Sequence, residues 1–390
     1  MSKIVKGLVL SAIASSVVMA GGYKIPEQSL NSMALGGAYV AHTTNADAAY
    51  FNPANMAFMG EKQYAEGAIT LAHLPSIDYY GMAESEEENI LIPNFHYVSA
   101  PMGDFRWGLS MTAPGGLTKR WNEQPGKSFA EEFTLKVVEL NPSLSYKVMD
   151  NLSVGAGLRL IYSEGVVKSD APSVPLKLDM EGDTIEFGYN LAVTYKPTPD
   201  INMAATYRSK IELGEEGTAT INGTTMDAGV TVPLPAALNL AVSKTWNNAF
   251  TLEFNYERTY WSAYETLEFT GTPLPVSAKN WKDTNTFRLG ATVVLDKITM
   301  MMGFAIDETP VPDETLSFEL PDSDAKIFSM GFRYQQTEAL SWGAAFLYDS
   351  KDPRSISTDV DSENPVIDAN GASFNGGGAF LTTVGMSYEF

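Results

Sequence analysis

The 390-residue chain contains no cysteine and only three histidines. It therefore has no disulfide, thiolate zinc site or cysteine nucleophile. His42, His73 and His96 fall on no metal-ligand spacing. Basic residues are scarce: 26 stand against 47 acidic ones, a formal net charge of −21. Phosphate recognition needs clustered Lys and Arg, so this balance argues against a nucleic-acid partner. Gly36-Gly37 lacks the strand–turn–helix setting of a dinucleotide site. No Ser-His-acid set is suggested, so neither a cofactor nor an enzyme is expected. Although 44% of the residues are hydrophobic, the mean hydropathy is −0.09. That is too low for a bundle of membrane helices. It does not exclude a membrane β-barrel, whose strands are apolar only at every second position.

Residues 1–20 read as a signal peptide. Lys3 and Lys6 precede an uncharged, mostly apolar stretch, and Val18-Met19-Ala20 places small residues for cleavage before Gly21. The stretch is shorter than the ~20 apolar residues of a spanning helix. No later run is long enough either.

What the sequence does contain is alternation. Ile185, Phe187, Tyr189, Leu191, Val193 and Tyr195 alternate with polar or small residues from Thr184 to Lys196. The same period of two recurs from Leu152, Phe250, Phe287 and Leu340. A soluble sandwich would alternate likewise, but three features favour a barrel in lipid. Short turns near 101–104, 149–151, 197–200, 246–248, 296–297 and 335–338 alternate with long connections. The long ones are 72–89, 114–130, 168–183, 214–232, 268–284, 307–325 and 350–378. Six short turns and seven long loops imply fourteen strands, with both chain ends on the short-turn, periplasmic side. Aromatic residues such as Tyr195, Tyr207, Trp246, Tyr256, Tyr334 and Tyr348 sit at strand ends, where headgroups would lie. Finally, Phe380, Thr382, Val384, Met386, Tyr388 and Phe390 alternate to the last residue. A terminal strand ending on Phe390 is the pattern that the barrel assembly machinery takes as a partner.

Residues 21–60 do not alternate and are rich in Ala, Gly, Asn and Ser. About forty residues are too few for a stable domain alone, so they are expected to plug the lumen, with the barrel over 61–390. A periplasmic extension is the other reading. Within this segment, Ser32-Met33-Ala34-Leu35-Gly36-Gly37-Ala38-Tyr39, Asp47-Ala48-Ala49 and Asn52-Pro53-Ala54 resemble the hatch of the FadL/TodX outer-membrane transporters. Thr112-Ala113-Pro114-Gly115-Gly116-Leu117 resembles the exit from that family's third strand. Leu140 to Tyr146 with Leu152 to Gly157, Tyr207 to Lys210 with Glu216-Gly217, and Asp307 to Pro312 with Leu320-Pro321-Asp322 follow in family order. The resemblance implies a monomeric fourteen-stranded barrel with an amino-terminal hatch. It also implies passive uptake of long-chain fatty acids or aromatic hydrocarbons. A general porin or an adhesin on the same scaffold is the alternative.

By the same resemblance, the ligand is captured in the outer loops, held in the lumen and released sideways near the third strand as the hatch shifts. Leu117, Trp121, Phe129 and Phe133 would form the capture surface, or else pack as the loop's own core. Asn52, Pro53 and Ala54 would be the moving hatch. Gly108 in the segment Arg106 to Ala113 would allow a bend, or mark a close approach of the plug. Arg159, like Arg208, Arg288 and Arg333, falls on a polar strand face. It would meet a fatty-acid head group or pair with lumen acids such as Glu186, Glu253 or Glu257. Acidic clusters at Glu84–Glu88 and Asp349–Glu363 read as solvated charge or as cation bridges to lipopolysaccharide.

Overall fold

A computed structural model describes residues 21–356 and 373–390. The signal peptide lies outside them, as do Asp359, Asp361 and Glu363 of the last loop. The strands are β1 Tyr64–Leu74, β2 Glu88–Val98, β3 Phe105–Thr112 resuming as Gly116–Lys119, β4 Glu132–Met149, β5 Leu152–Ala171 and β6 Leu176–Thr198. They continue as β7 Ile201–Arg208 with Ile211–Ile221, β8 Thr224–Leu234 with Ala237–Trp246, β9 Phe250–Thr259, β10 Thr284–Leu295 and β11 Ile298–Asp307. The last three are β12 Ala325–Gln335, β13 Leu340–Lys351 and β14 Ala379–Glu389. Each strand pairs antiparallel with the next, and β14 returns to β1 from Tyr64↔Glu389 to His73↔Phe380. The result is a closed barrel of fourteen strands, as the spacing of turns implied.

The alternation sorts the two faces. Ile185, Phe187, Tyr189, Leu191, Val193 and Tyr195 are all exposed on the outside, while Asn190, Ala192 and Thr194 between them are buried. At the carboxy terminus Phe380, Val384, Met386, Tyr388 and Phe390 face out, and Leu381, Thr383 and Ser387 face in. The outer apolar face has water as its worst solvent and lipid as its natural one.

Two of the expected long loops are not loops. Residues 168–183 and 214–232 are the ends of strands that overshoot the membrane as hairpins. β7 and β8 meet through Asn222-Gly223, whose φ values are +51° and +82°. Asn-Gly supplies the positive φ that a two-residue hairpin turn requires, a signal that outweighs the polar composition of the segment. β5 and β6 run as one ladder from Leu152↔Tyr195 to Ala171↔Leu176.

Inside, residues 21–60 form two short helices, α1 Leu30–Ala34 and α2 Ala48–Phe51, and a 3-10 turn at Pro53–Phe58. Ser29 caps α1 by accepting from the Ser32 N–H at 3.2 Å. Barrel glycines leave room for this segment. A Cβ on Gly155 would lie 2.5 Å from Ala54 N, and one on Gly303 would collide with the Leu35 backbone.

The face assignment predicts an asymmetry between neighbours. Leu158 is 69% exposed and Arg159 beside it is 2% exposed. Leu158→Arg is expected to cost about 2–4 kcal/mol of folding stability in lipid vesicles. Denaturant unfolding checks it, and an unchanged midpoint contradicts a lipid-facing Leu158.

Candidate ligand route and hatch

The outer ends of the strands enclose an apolar groove of about 880 Å³. Phe129 lines it from the β3–β4 connection, Phe133 from the start of β4, Val167 and Leu178 from the β5–β6 hairpin, and Leu267 and Phe269 from the β9–β10 connection. A short helix, Lys127–Ala130, presents Phe129, which stacks on Phe318 with ring centroids 5.4 Å apart. Trp121 does not line the groove. It is fully buried, and its indole N–H donates to the Phe318 carbonyl at 2.9 Å. Leu117 also lies deeper, in a cavity of about 20 Å³ beneath the groove. Of the four apolar loop residues, two reach the groove, one packs the loop and one lines the inner cavity.

Phe133 lines both cavities. The inner one is bounded by an aromatic cluster that the sequence reading missed. Tyr23, Trp261, Tyr264 and Trp281 interlock edge to face, with Tyr23–Trp261 at 4.8 Å, Trp261–Trp281 at 5.0 Å and Tyr264–Trp281 at 4.8 Å. Trp261, Tyr264 and Trp281 crowd one loop, which was a usable signal; Tyr23 comes from the other end of the chain. Burial holds the Tyr264 hydroxyl well above its usual pKa.

The lumen cations are met by acids. Arg159 Nε donates to Glu139 at 2.9 Å and its Nη1 to the Ser209 carbonyl at 2.7 Å. Arg208 pairs with the same carboxylate. Arg288 pairs with Glu257 at 3.3 Å, shared with Lys24 at 2.5 Å, and Arg333 with Glu66 at 2.5 Å. Each guanidinium group is thus ion-paired, although Arg288 Nε and Arg333 Nη1 stay buried without a hydrogen-bond partner. Of the acids the sequence suggested, Glu257 is used in this way, while Glu186 accepts from Thr184 at 3.2 Å.

The wall has a break in its ladder between β2 and β3. β2 and β3 pair over only four positions, from Val98↔Gly108 to Phe95↔Met111. Beyond these, β3 bends at Ala113-Pro114-Gly115 and resumes beside β4 alone, at Gly116↔Lys136. The segment Tyr23–Gln28 takes up hydrogen bonds freed at the bend. Ile25 N–H donates to Pro114 O at 3.0 Å and Gly116 N–H to Tyr23 O at 2.9 Å. The Gln28 side chain accepts from Ala113 N–H at 2.9 Å and donates to Ala113 O at 2.8 Å. His96 contacts the Gln28 carbonyl at 2.8 Å. Gly108 sits below the break, where a Cβ would come within 2.7 Å of Ala49 Cβ and Met56 Sδ. Its small size serves the approach of the plug.

A barrel of this strand number, with a lumen segment and a broken third strand, was compared with known proteins. The family model described as outer membrane protein transport protein (OMPP1/FadL/TodX) matches residues 11–390. The chain belongs to this family. It is similar to a long-chain fatty acid transport protein of Escherichia coli O6:H1, 25% identical, with 87% of this chain and 90% of that protein covered. Its fold is similar to that of a Pseudomonas aeruginosa FadL homologue, with a TM-score of 0.83 and 21% identity over 95% of this chain and 99% of that one. The Pseudomonas putida toluene transporter TodX superposes with a TM-score of 0.73 at 16% identity, covering 94% and 99% of the two chains. The protein is thus an outer-membrane transporter rather than an enzyme.

In this OMPP1/FadL/TodX member the plug is held by side chains of the barrel. Glu253 on β9 accepts three consecutive backbone N–H groups, Val40 at 2.5 Å, Ala41 at 2.8 Å and His42 at 2.8 Å. Asn52 donates to Val40 O at 2.8 Å and to Thr194 on β6 at 2.9 Å, and its own oxygen accepts from Ala54 N–H at 3.1 Å. Ala54 in turn takes a hydrogen bond from Ser153 at 2.7 Å. Asn52 and Ala54 thus tie the Pro53 turn to the wall. Arg106 closes the far end, donating to the carbonyls of Ser99, Met56 and Lys62. Glu27 in the plug is buried, and burial pushes its carboxyl up to about 7. Burial first, and then Lys196, pushes His42 down to about 4.

Glu253→Ala removes one acceptor shared by three N–H groups. Each orphaned group costs about 1–3 kcal/mol, so the plug should loosen. Planar-bilayer recording of the variant is expected to show an ion conductance that the parent lacks. Identical traces for the two would show that Glu253 does not hold the plug.

Proposed function

We propose that the protein takes up hydrophobic molecules, long-chain fatty acids first among them, without an energy source. The observation that carries this reading is Phe133. It belongs to both the wide apolar groove and the small aromatic cavity, so one side chain stands between capture and interior. An alkyl chain gains about 0.8 kcal/mol per methylene on leaving water, and the groove offers that gain above the membrane.

The second step follows from Tyr23. Its ring walls the inner cavity, and its carbonyl occupies the wall break. The inner cavity of about 20 Å³ holds no more than a water-sized group, so a ligand that enters it must displace Tyr23 and draw the segment Tyr23–Gln28 from the break. The ligand then leaves sideways into the membrane, as the third-strand bend at Ala113-Pro114-Gly115 permits. Asn52, Pro53, Ala54 and Gly108 set how far the plug yields. The relatives, a long-chain fatty acid transport protein and a toluene transporter, support this cargo class. The short turns and both termini face the periplasm in this reading. The outward Phe390 is the handle for barrel assembly, and the barrel acts as a monomer.

Uptake of labelled laurate by cells with and without the gene tests the function. Phe129→Ala with Phe133→Ala is expected to lower uptake about tenfold, in line with about 1.4 kcal/mol of lost apolar contact. Equal uptake with and without the gene for every fatty acid and hydrocarbon tried would refute the reading. A steady conductance through the parent protein would favour a general porin instead.

A further inference from the structure

Two neighbouring cavities lie beneath the plug, at the end of the barrel that carries the short turns. One, of about 320 Å³, is lined by Glu253, Asp296 and Glu389 together with Lys297 and Arg333. The other, of about 370 Å³, is lined by no aspartate and no glutamate. In a chain with 47 acidic and 26 basic residues, a polar cavity free of acids stands apart. Lys196, near the end of β6, is its one charged side chain. His42 also lines it, and burial and the nearby Lys196 keep the imidazole neutral.

Lys196 has no counter-ion. Among the described residues no carboxylate lies within 4.0 Å of its ammonium. Asp200, the nearest acid along the chain, is held by Lys244 at 2.7 Å. The Lys196 ammonium lies 4.2 Å from the centre of the Phe58 ring. A ring face attracts the charge but leaves N–H donors to spare. Neutral groups complete the lining. The side chains of Asn248 and Thr292 have no hydrogen-bond partner among the described residues. The Asn202 amide makes only long contacts, 3.3 Å to Ser243 and 3.4 Å to His42. These groups belong to two bodies: Lys196, Asn202 and Thr292 to the wall, His42 and Thr44 to the plug.

We propose that this cavity binds a small water-borne phosphate, held between Lys196 on the wall and His42 and Thr44 on the plug. An ammonium without a counter-ion supplies the charge-assisted contact, and the amide and hydroxyl groups supply neutral donors. The donors stand on the plug and on strands β6, β7 and β10. A tetrahedral oxyanion can use donors on several sides, whereas a flat carboxylate uses donors near one plane. The lack of acids spares an anion the repulsion it would meet in the neighbouring cavity. Lys196 lies on the lumen side of the wall, so a lipid head group in the surrounding membrane does not reach it. A bound phosphate bridges plug and wall, and a ligand that binds only the seated plug stabilises that state. The site lies at the opposite end of the barrel from the apolar groove and does not depend on the cargo.

Calorimetric titration of the purified full chain with inorganic phosphate, in a non-ionic detergent and chloride buffer, tests the site. The parent is expected to bind phosphate, and to bind acetate about tenfold more weakly. Lys196→Met should lower the affinity for phosphate about tenfold, the value of one charge-assisted hydrogen bond. Lys196→Arg should keep part of it, which separates loss of the cation from misfolding. Proton NMR gives a second readout: phosphate should move the His42 titration up from about 4, because a nearby anion favours the imidazolium. Hydrogen exchange in residues 41–55 should slow about tenfold in saturating phosphate, as the bridge holds the plug. No binding by the parent, or full affinity in Lys196→Met, overturns the site. Acetate bound as tightly as phosphate overturns the assignment to a tetrahedral oxyanion. An unmoved His42 or unchanged exchange overturns the bridge to the plug.

Discussion

Every backbone N–H and C=O at membrane depth must find a partner within the protein, because lipid offers none. Closure of β14 on β1 meets this requirement around almost the whole barrel. One exception is the upper part of β2, which β3 abandons after Phe95↔Met111. The bend of β3 at Ala113 to Gly116 finds its partners in the amino-terminal segment, through the Tyr23 carbonyl, the Ile25 N–H and the Gln28 amide. The bend in the wall is therefore held by a segment that is not part of the wall.

The same economy governs charge. The lumen is polar because alternation turns every second residue inward, and buried cations there are costly unless paired. Glu139 holds two arginines, Glu257 holds Lys24 and Arg288, and Glu66 holds Arg333. Glu253 has no cation and spends its carboxylate on three N–H groups of the plug. The acidic excess of the sequence thus serves two purposes, neutralising the lumen and holding the plug.

Much of this was legible in the sequence. Period-two alternation identified the outer face at Ile185 to Tyr195 and at Phe380 to Phe390, because in a barrel that period is fixed by the pleat alone. The six short turns appear where expected, five of them marked by Gly, Asn, Asp or Pro and the sixth falling at Gln335 to Glu338. The hairpins at 168–183 and 214–232 were misjudged, since polar strand ends above a membrane look like loops unless the Asn222-Gly223 turn is weighed. At the groove, hydrophobicity singled out Phe129 and Phe133 together with Trp121, but it could not distinguish a ring facing the groove from one packing the loop.

Alternation and turn spacing, both local, were enough by themselves to determine a fourteen-stranded barrel in lipid and an odd segment in front of it. Which residues meet across the lumen was decided only by the tertiary structure. Tyr23 beside Trp261 and Trp281, Gln28 on Ala113, Glu253 on Val40 and Glu139 between Arg159 and Arg208 join positions far apart in the chain. Their contacts depend on barrel closure and on how the plug settles inside it, and no local pattern records either.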